Sequence, residues 1–547
     1  MAEPGECRRH GYSAVPIVHP SRCIDAAREG RGIVAPRSLI RTVTVLSAPA
    51  ADAPHRYQLL ADQLREALQS GRYPAGDRLP SVRDLCRLHG ASLATVTHAL
   101  HRLEDAGWIE ARARQGFYAR RMPATGATPT LPTIPPEALE ARRERLMALA
   151  AARSDQLSLG HLALPDDLVP QSALRRLCHR HLRGRASALA TGSVIGSPAL
   201  REQVALRLNR RGCQVHAQDI VATQGEGESL RLCLDQLTAP GGRVAVTSPV
   251  PLRLLELLRA KGLDVVELPD PANEGARLDG ARGALHALTR LMEVGGLTAC
   301  VADMASAAAA GLLWDDSSRR ALVALCTRHA VPLIECDLFG ELAISADMPQ
   351  PLKAYDTEDR VLHCGSTACV TGVGFGIGWV VSGRHRRQLG AARAVHGELL
   401  PELMDRVMAD FLGSEEADRH LRRLRRQLRL RMGHWSDAIL EAFPQGTTVQ
   451  QGPLGYQLWV TLPSGMDAIT LLTHAREHGL NFVPGAVFTS GPGWDRSLRL
   501  AGAHALDAQR QAALHRLGTL AQALWPGSAG RSLSSLSPTP VRPRRRA

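Results

Sequence analysis

Ser92, Leu93, Thr97, His98 and His101 are spaced to work as one surface. Val96, Leu100 and Leu103 recur at helical intervals and define a buried side, so Leu93, Thr97, His98 and His101 fall on the side turned away from it. Hydroxyl and imidazole groups there can hydrogen-bond base edges or phosphates, and Leu93 can meet a thymine methyl. Ser92, at the start of that helix, and Arg83, at the start of the preceding one, suit contacts to phosphate. The eleven cysteines show no comparable order. They form neither a Cys-x-x-Cys pair nor a Cys/His cluster at zinc spacing, so no metal is expected and free thiols in a reducing compartment are.

The elements that must hold this surface can be read in turn. Tyr57–Ser70 reads as a helix with Leu60, Leu64 and Leu68 on one face, broken by Pro74-Ala75-Gly76-Asp77. Ser81 can cap a second helix carrying Val82, Leu85 and Leu88 and ended by Gly90; Ser92 can cap the third, which Gly107 stops. Trp108–Arg112 and Phe117–Arg120 read as strands joined at Arg114-Gln115-Gly116, which adds Gln115 and Gly116 to the candidate contacts. Helix, helix, turn, helix and hairpin is the winged helix-turn-helix order, whose third helix enters the major groove of double-stranded DNA. Charge agrees with it: residues 55–121 carry 11 arginines against 7 acids, within a chain of net charge +13. A small helical domain that docks protein would explain neither the wing nor the charge.

The remaining chain divides by composition. Residues 1–54 have no periodicity and stay unassigned. Residues 122–157 begin Pro- and Thr-rich and continue into a charged helical piece, Glu137 to Arg153, which together read as a linker. From 158 to 525, short β-rich runs (Arg243–Thr247, Asp264–Leu268, Pro332–Glu335, Gly378–Val381) alternate with helical stretches, the pattern of a mainly parallel α/β domain, with a small subdomain from about 400. Residues 526–547 are Ser-, Pro- and Arg-rich and are expected to be disordered. No run of 18 apolar residues and no secretory signal occurs, so a cytoplasmic protein without a membrane segment is expected.

Two resemblances sharpen this. Asp77-Arg78-Leu79-Pro80-Ser81-Val82-Arg83-Asp84-Leu85, Ala94-Thr95-Val96 and Leu103-Glu104-Asp105-Ala106-Gly107-Trp108-Ile109 resemble the GntR family of bacterial regulators. The resemblance implies that Arg83, the start of the third helix and the wing glycine Gly116 lie at DNA. Where that family often has a base-reading arginine, this chain has Leu93, so its operator is expected to differ. Gly196 to Arg201, Val221 to Glu228, Pro332 to Asp337, Gly365-Ser366 through Gly378-Trp379, and Leu498-Arg499-Leu500 resemble fold-type I aminotransferases as fused in the MocR subfamily of those regulators. That implies an α/β PLP-transferase fold, a homodimer, and pyridoxal phosphate as the family cofactor.

The same resemblance shows what has changed. The Schiff-base lysine, which follows a Gly-Ser pair matched by Gly365-Ser366, corresponds to Cys369; the chain has two lysines, Lys261 and Lys353, and neither falls there. The carboxylate for the pyridine nitrogen corresponds to Cys336, with Asp337 expected on the opposite strand face. The ring-hydroxyl tyrosine corresponds to Phe339, the asparagine to Ala307, the stacking aromatic to Pro251-Leu252 and the phosphate arginine to Gly376. Gly225 and Gly227 persist at the phosphate loop, but Glu226 between them repels an anion. No enzyme activity and no bound cofactor are therefore expected; a PLP-binding regulator and a working aminotransferase stay open as alternatives. Arg499 matches the arginine that binds substrate α-carboxylate, which implies either a small carboxylate effector or a structural salt bridge.

Overall fold

The computed structural model describes residues 56–69, 73, 76–105, 108–112, 116–119, 143, 144, 148, 156–184, 189, 191–271, 275, 277, 279–344, 350–396 and 399–526. Residues 1–54, the tail from 527, most of the linker and Gln115 lie outside them. Two compact units, Met1–Pro132 and Thr133–Ala547, contain the described residues.

In the first unit, α1 (Arg56–Gln69), α2 (Val82–His89) and α3 (Leu93–Asp105) enclose Leu60, Leu64, Leu85, Val96, Leu100 and Leu103. Both expected caps form. The Ser81 hydroxyl accepts from the Asp84 N–H, and Gly90 ends α2 at φ +57°, where a glycine has no Cβ to clash. The Ser92 hydroxyl accepts from the Thr95 N–H at 3.2 Å. Leu88 is a correction: it is 62% exposed. Two steps of three residues carry it about 120° around the helix from Val82, off the buried face.

The wing consists of β1 (Ile109–Arg112) and β2 (Gly116–Ala119), antiparallel, with Ile109 opposite Ala119 and Arg112 opposite Gly116. A further segment joins it. The Leu79 N–H donates to the Phe117 carbonyl at 2.9 Å, and the Ala119 N–H donates to the Asp77 carbonyl at 2.9 Å. The loop that reads as a helix break in the sequence therefore serves as a third wing strand.

The second unit is built on β3 (Ile220–Thr223), β4 (Arg243–Thr247), β5 (Asp264–Leu268), β6 (Leu297–Asp303), β7 (Leu333–Asp337), β8 (Val361–Ser366) and β9 (Gly378–Val381), in spatial order β3-β9-β8-β7-β6-β4-β5. The sheet is parallel except for β9, which runs antiparallel to both its neighbours. Its inner strands are apolar on both faces because helices cover both. Val244, Val301, Ile334 and Leu362 face one layer of buried residues, while Ala245, Cys300, Leu333 and Val361 face another. Helices α4 (Gln171–Gly184), α5 (Pro198–Asn209), α6 (Glu226–Leu237), α7 (Leu252–Ala260), α8 (Gly280–Val294), α9 (Met304–Ala309), α10 (Asp316–Arg328), α11 (Ala368–Thr371), α12 (Arg386–His396) and α13 (Glu402–Leu412) connect and flank these strands.

The 28-residue α14 (Glu415–Ala442) then leads to a four-stranded antiparallel sheet. Its strands are β10 (Thr448–Gln451), β11 (Gln457–Thr461), β12 (Val483–Pro484) and β13 (Ser497–Ala501), in order β10-β11-β13-β12. α14, α15 (Ala468–Glu477) and α16 (Ala508–Leu524) bury Leu428, Met432, Trp435, Leu471 and Leu517 with its inner residues Leu458 and Leu500. Part of the stretch read as linker is docked on this unit: Arg143 pairs with Glu256 at 2.6 Å, and Leu157–Ser158 pairs in parallel with Leu480–Asn481. No described helix is long and apolar enough to cross a membrane.

Candidate functional site

On the first unit, the cap at Ser92 and the buried triad Val96, Leu100 and Leu103 fix how α3 is turned. Leu93 is 62% exposed, Ser92, His98 and His101 are exposed and Thr97 is half-buried, so the five share an open face. Besides the capping Ser92, two of them are already engaged. His98 stacks on Tyr57 with ring centroids 4.0 Å apart, which leaves its edge for contact, and His101 Nδ1 lies 3.5 Å from the Glu104 carboxylate. Arg83 projects from α2 into solvent. Gly116 opens β2 at φ +100°, a conformation that favours glycine, and a Cβ there would lie 3.4 Å from Arg78 Nε. Arg78 is thus held against the wing. The sequence reading did not single it out, although it stands within the segment that carried the family resemblance.

In the second unit, the compared positions gather at the carboxyl edge of the parallel strands, where open α/β sheets hold ligands. Cys336 ends β7 beside Asp303, its Cα partner at the end of β6. Asp337 faces the other way, as alternation requires: its carboxylate accepts from Arg211 Nη1 at 2.5 Å and lies 2.9 Å from His363 Nε2. Ser366 ends β8; its hydroxyl donates to the Ile377 carbonyl at 2.8 Å and accepts from the Ala368 N–H at 3.2 Å. Cys369 follows in α11, buried. Phe339 is buried edge-on to Tyr456, with ring centroids 5.3 Å apart. Ala307 is fully buried within α9.

The electrostatics are those of a shielded, acidic cluster. Burial pushes the Cys369 thiol up to about 12, against the pull of the Tyr456 hydroxyl bonded to it. Burial also raises Cys336 well above the ordinary thiol range. Loss of water, with the neighbouring Asp303 carboxylate adding to it, lifts Glu226 up to about 8, while Asp303 itself is lifted to about 6 by burial. Asp303 caps α9, accepting from the Ser306 N–H and hydroxyl at 2.9 Å each. Tyr456 and the Glu226–Asp303 proximity were missed in the sequence; only Asp303 left a signal, the Asp-x-x-Ser of a helix cap.

Glycines set two further limits. At Gly376 a Cβ would sit 2.8 Å from the Ala368 Cβ and 3.1 Å from its Cα, so no longer side chain fits without moving backbone. At Gly227 it would meet Arg253 Nη2 at 3.0 Å, which places that guanidinium over the start of α6. The two lysines lie elsewhere. Lys261 pairs with Asp235, and Lys353 pairs with Asp356 at 2.8 Å. Asp356 also accepts from the Val361 N–H, so Lys353 sits at the start of β8, the opposite edge of the sheet from Cys369.

Arg499 lies on β13, alternating with the core residues Leu498 and Leu500. Its guanidinium donates to the Gly160 carbonyl at 3.1 Å and stands 4.9 Å from the centre of the Phe488 ring. Burial lowers its pKa to about 10. Among the described residues no carboxylate pairs with it, and its Nε, shielded from water, lacks a partner. The structural salt bridge that the sequence left open is therefore absent among these residues.

Comparison with known proteins fits both units. Residues 56–119 match the model of the bacterial regulatory proteins of the gntR family. The Escherichia coli HTH-type transcriptional regulator YdcR is 34% identical over 476 residues, spanning 85% of this chain and 99% of its own length. An aromatic-amino-acid aminotransferase from Thermococcus litoralis is 26% identical over 353 residues, covering 63% of this chain and 83% of its own. The Pyrococcus horikoshii kynurenine aminotransferase structure superposes with a TM-score of 0.61 at 24% identity, over 71% of this chain and 97% of that one, which establishes the fold of the second unit. With a winged helix-turn-helix that matches the gntR model, an aminotransferase fold behind it and a regulator aligned across both, the chain belongs to the GntR-type transcriptional regulators that carry an aminotransferase-like domain.

Proposed function

We propose that this chain is a regulator of the MocR type whose second unit is a receptor for a small carboxylic acid and has lost pyridoxal phosphate chemistry. The observation that carries the reading is Arg499: a shielded guanidinium that meets no carboxylate among the described residues, near the Tyr456 hydroxyl that bonds the Cys369 thiol. A buried cation without a counter-charge is costly, and a carboxylate taking its fork by two hydrogen bonds relieves that cost. The groups around it do not fit a phosphorylated aldehyde. A thiol cannot form the imine, Cys336 offers the ring nitrogen no charge, and Gly376 has no room for the clamping arginine; Glu226, raised to about 8, is neutral at pH 7 and does not repel an anion as its type alone predicted.

In this reading the protein works as a homodimer on two half-sites of duplex DNA, with α3 in the major groove and the wing beside it. The acid regulates binding by favouring one arrangement of the dimer over the other. Titration calorimetry of the whole protein against a panel of amino acids and dicarboxylates tests the receptor role. At least one should bind the wild type, and Arg499→Gln should weaken it by about 10-fold or more while the fold is kept. Equal affinity in the Arg499→Gln protein would refute the assignment.

A further inference from the structure

α14 carries seven arginines, and the structure sorts them into two groups. Arg425 and Arg429 donate to the carbonyls of Glu341 and Ile344 at 2.8 Å each, and Arg431 pairs with Asp167. Arg419, Arg422, Arg423 and Arg426 instead stand exposed, and among the described residues none of the four meets a carboxylate. Their spacing places them within about 100° of one another around the helix, opposite the buried Leu421, Leu424 and Leu428.

Of the nearby acids on this helix, Glu415 pairs with none of the four among the described residues, and the other two are engaged elsewhere. Glu416 is taken by Arg176 from α4, and Asp418 by Arg207 and Arg210 from the end of α5. Arg419 and Arg423 also line a depression with Pro170, Gln171 and Ser172 at the start of α4; Asp166 and Glu416 lie at the same depression. Arg175, exposed on α4 one turn after Gln171, adds to the positive charge there.

We propose that this arginine stripe is a second nucleic-acid contact, gripping the phosphate backbone of duplex DNA without reading sequence. The proposal rests on the DNA-binding reading of the first unit. Its occupant follows from shape and charge. Four guanidinium groups spread along about 10 Å of a convex helix do not converge on a small anion. A duplex carries roughly six phosphates over that length, evenly spaced and repeating.

The test is fluorescence anisotropy of the full chain with a labelled duplex of about 60 base pairs and arbitrary sequence, from roughly 50 to 300 mM salt. Changing Arg419, Arg422, Arg423 and Arg426 together to glutamine should lower the slope of log affinity against log salt by about 3–4. The matching lysine variant should keep the slope, because an ammonium also holds phosphate. Arg83→Ala, run beside them, should lower it by about one. An unchanged slope in the glutamine variant, with Arg83→Ala still effective, overturns the stripe and leaves the first unit's role intact. A wild type that binds no duplex at any salt overturns the first unit's role and the stripe with it. A glutamine variant that loses only its binding to phosphatidylglycerol vesicles overturns the stripe in favour of a membrane surface.

Discussion

Glu226 shows how burial sets the chemistry of a single residue. Its carboxyl sits at the start of α6 with a pKa raised from 4.5 to about 8 by loss of water and by Asp303, so the folded state prefers it protonated. Such a group adds stability that is complete below about pH 4.5 and is lost as pH rises through about 8. Asp303 acts in the same sense up to about pH 6. Asp337 acts in the opposite sense: Arg211 and His363 lower its pKa, so its contribution is lost only on strong acidification. Between pH 5 and 8 these two carboxyls lower the melting temperature as pH rises, against the opposite effect of the half-buried His420 and His504, and Glu226→Gln should raise the value at pH 8 relative to that at pH 5. A destabilised Glu226→Gln protein at pH 8 would mean that the charged form is the one the fold uses. At this scale the sequence displays a resemblance at Cys369, Cys336 and Ala307, because the segments around them carry it. It could not display Tyr456 against Cys369 or Glu226 near Asp303, since those meetings join chain segments with no shared local pattern.

Among the elements, the helices of the first unit were the most legible. Leucine spacing and two serine caps fixed them, and the structure retains both caps. Ser92→Ala should cost about 1 kcal/mol, read from the urea midpoint of the first transition, because the Thr95 N–H loses its acceptor. Leu428→Ala in α14 removes a fully buried side chain and should cost about 2–5 kcal/mol in the transition of the second unit. No change in either midpoint would contradict the packing described. Strands Arg243–Thr247, Asp264–Leu268 and Gly378–Val381 could be read from their apolar runs, but the direction of the last could not. It is antiparallel because the chain reverses through Ala368–Thr371 and the turn after it, with no crossover helix long enough to restore the direction. The wing segment Asp77–Leu79 was illegible because three residues beside Pro80 and Gly76 show no alternation.

For the whole molecule, one sheet edge and one helix face carry different tasks on a single chain. The second unit has an aminotransferase fold, and the groups at the carboxyl edge of its sheet include the thiols of Cys336 and Cys369 and the carboxyls of Glu226 and Asp303, both raised by burial. In the proposed reading Arg499 recognises the ligand, and the α3 face with its wing contacts DNA. Arg83→Ala should weaken binding to all duplex sequences alike, since its contact is to phosphate; a loss confined to one sequence would place that side chain at a base instead. The most direct test of the account is the cofactor content of the purified chain, mixed with pyridoxal phosphate, dialysed, and assayed by absorbance and by mass after borohydride reduction. The expected result is a colourless protein of unaltered mass. One phosphopyridoxyl group per chain, retained through dialysis and mapped to the pocket, would contradict it.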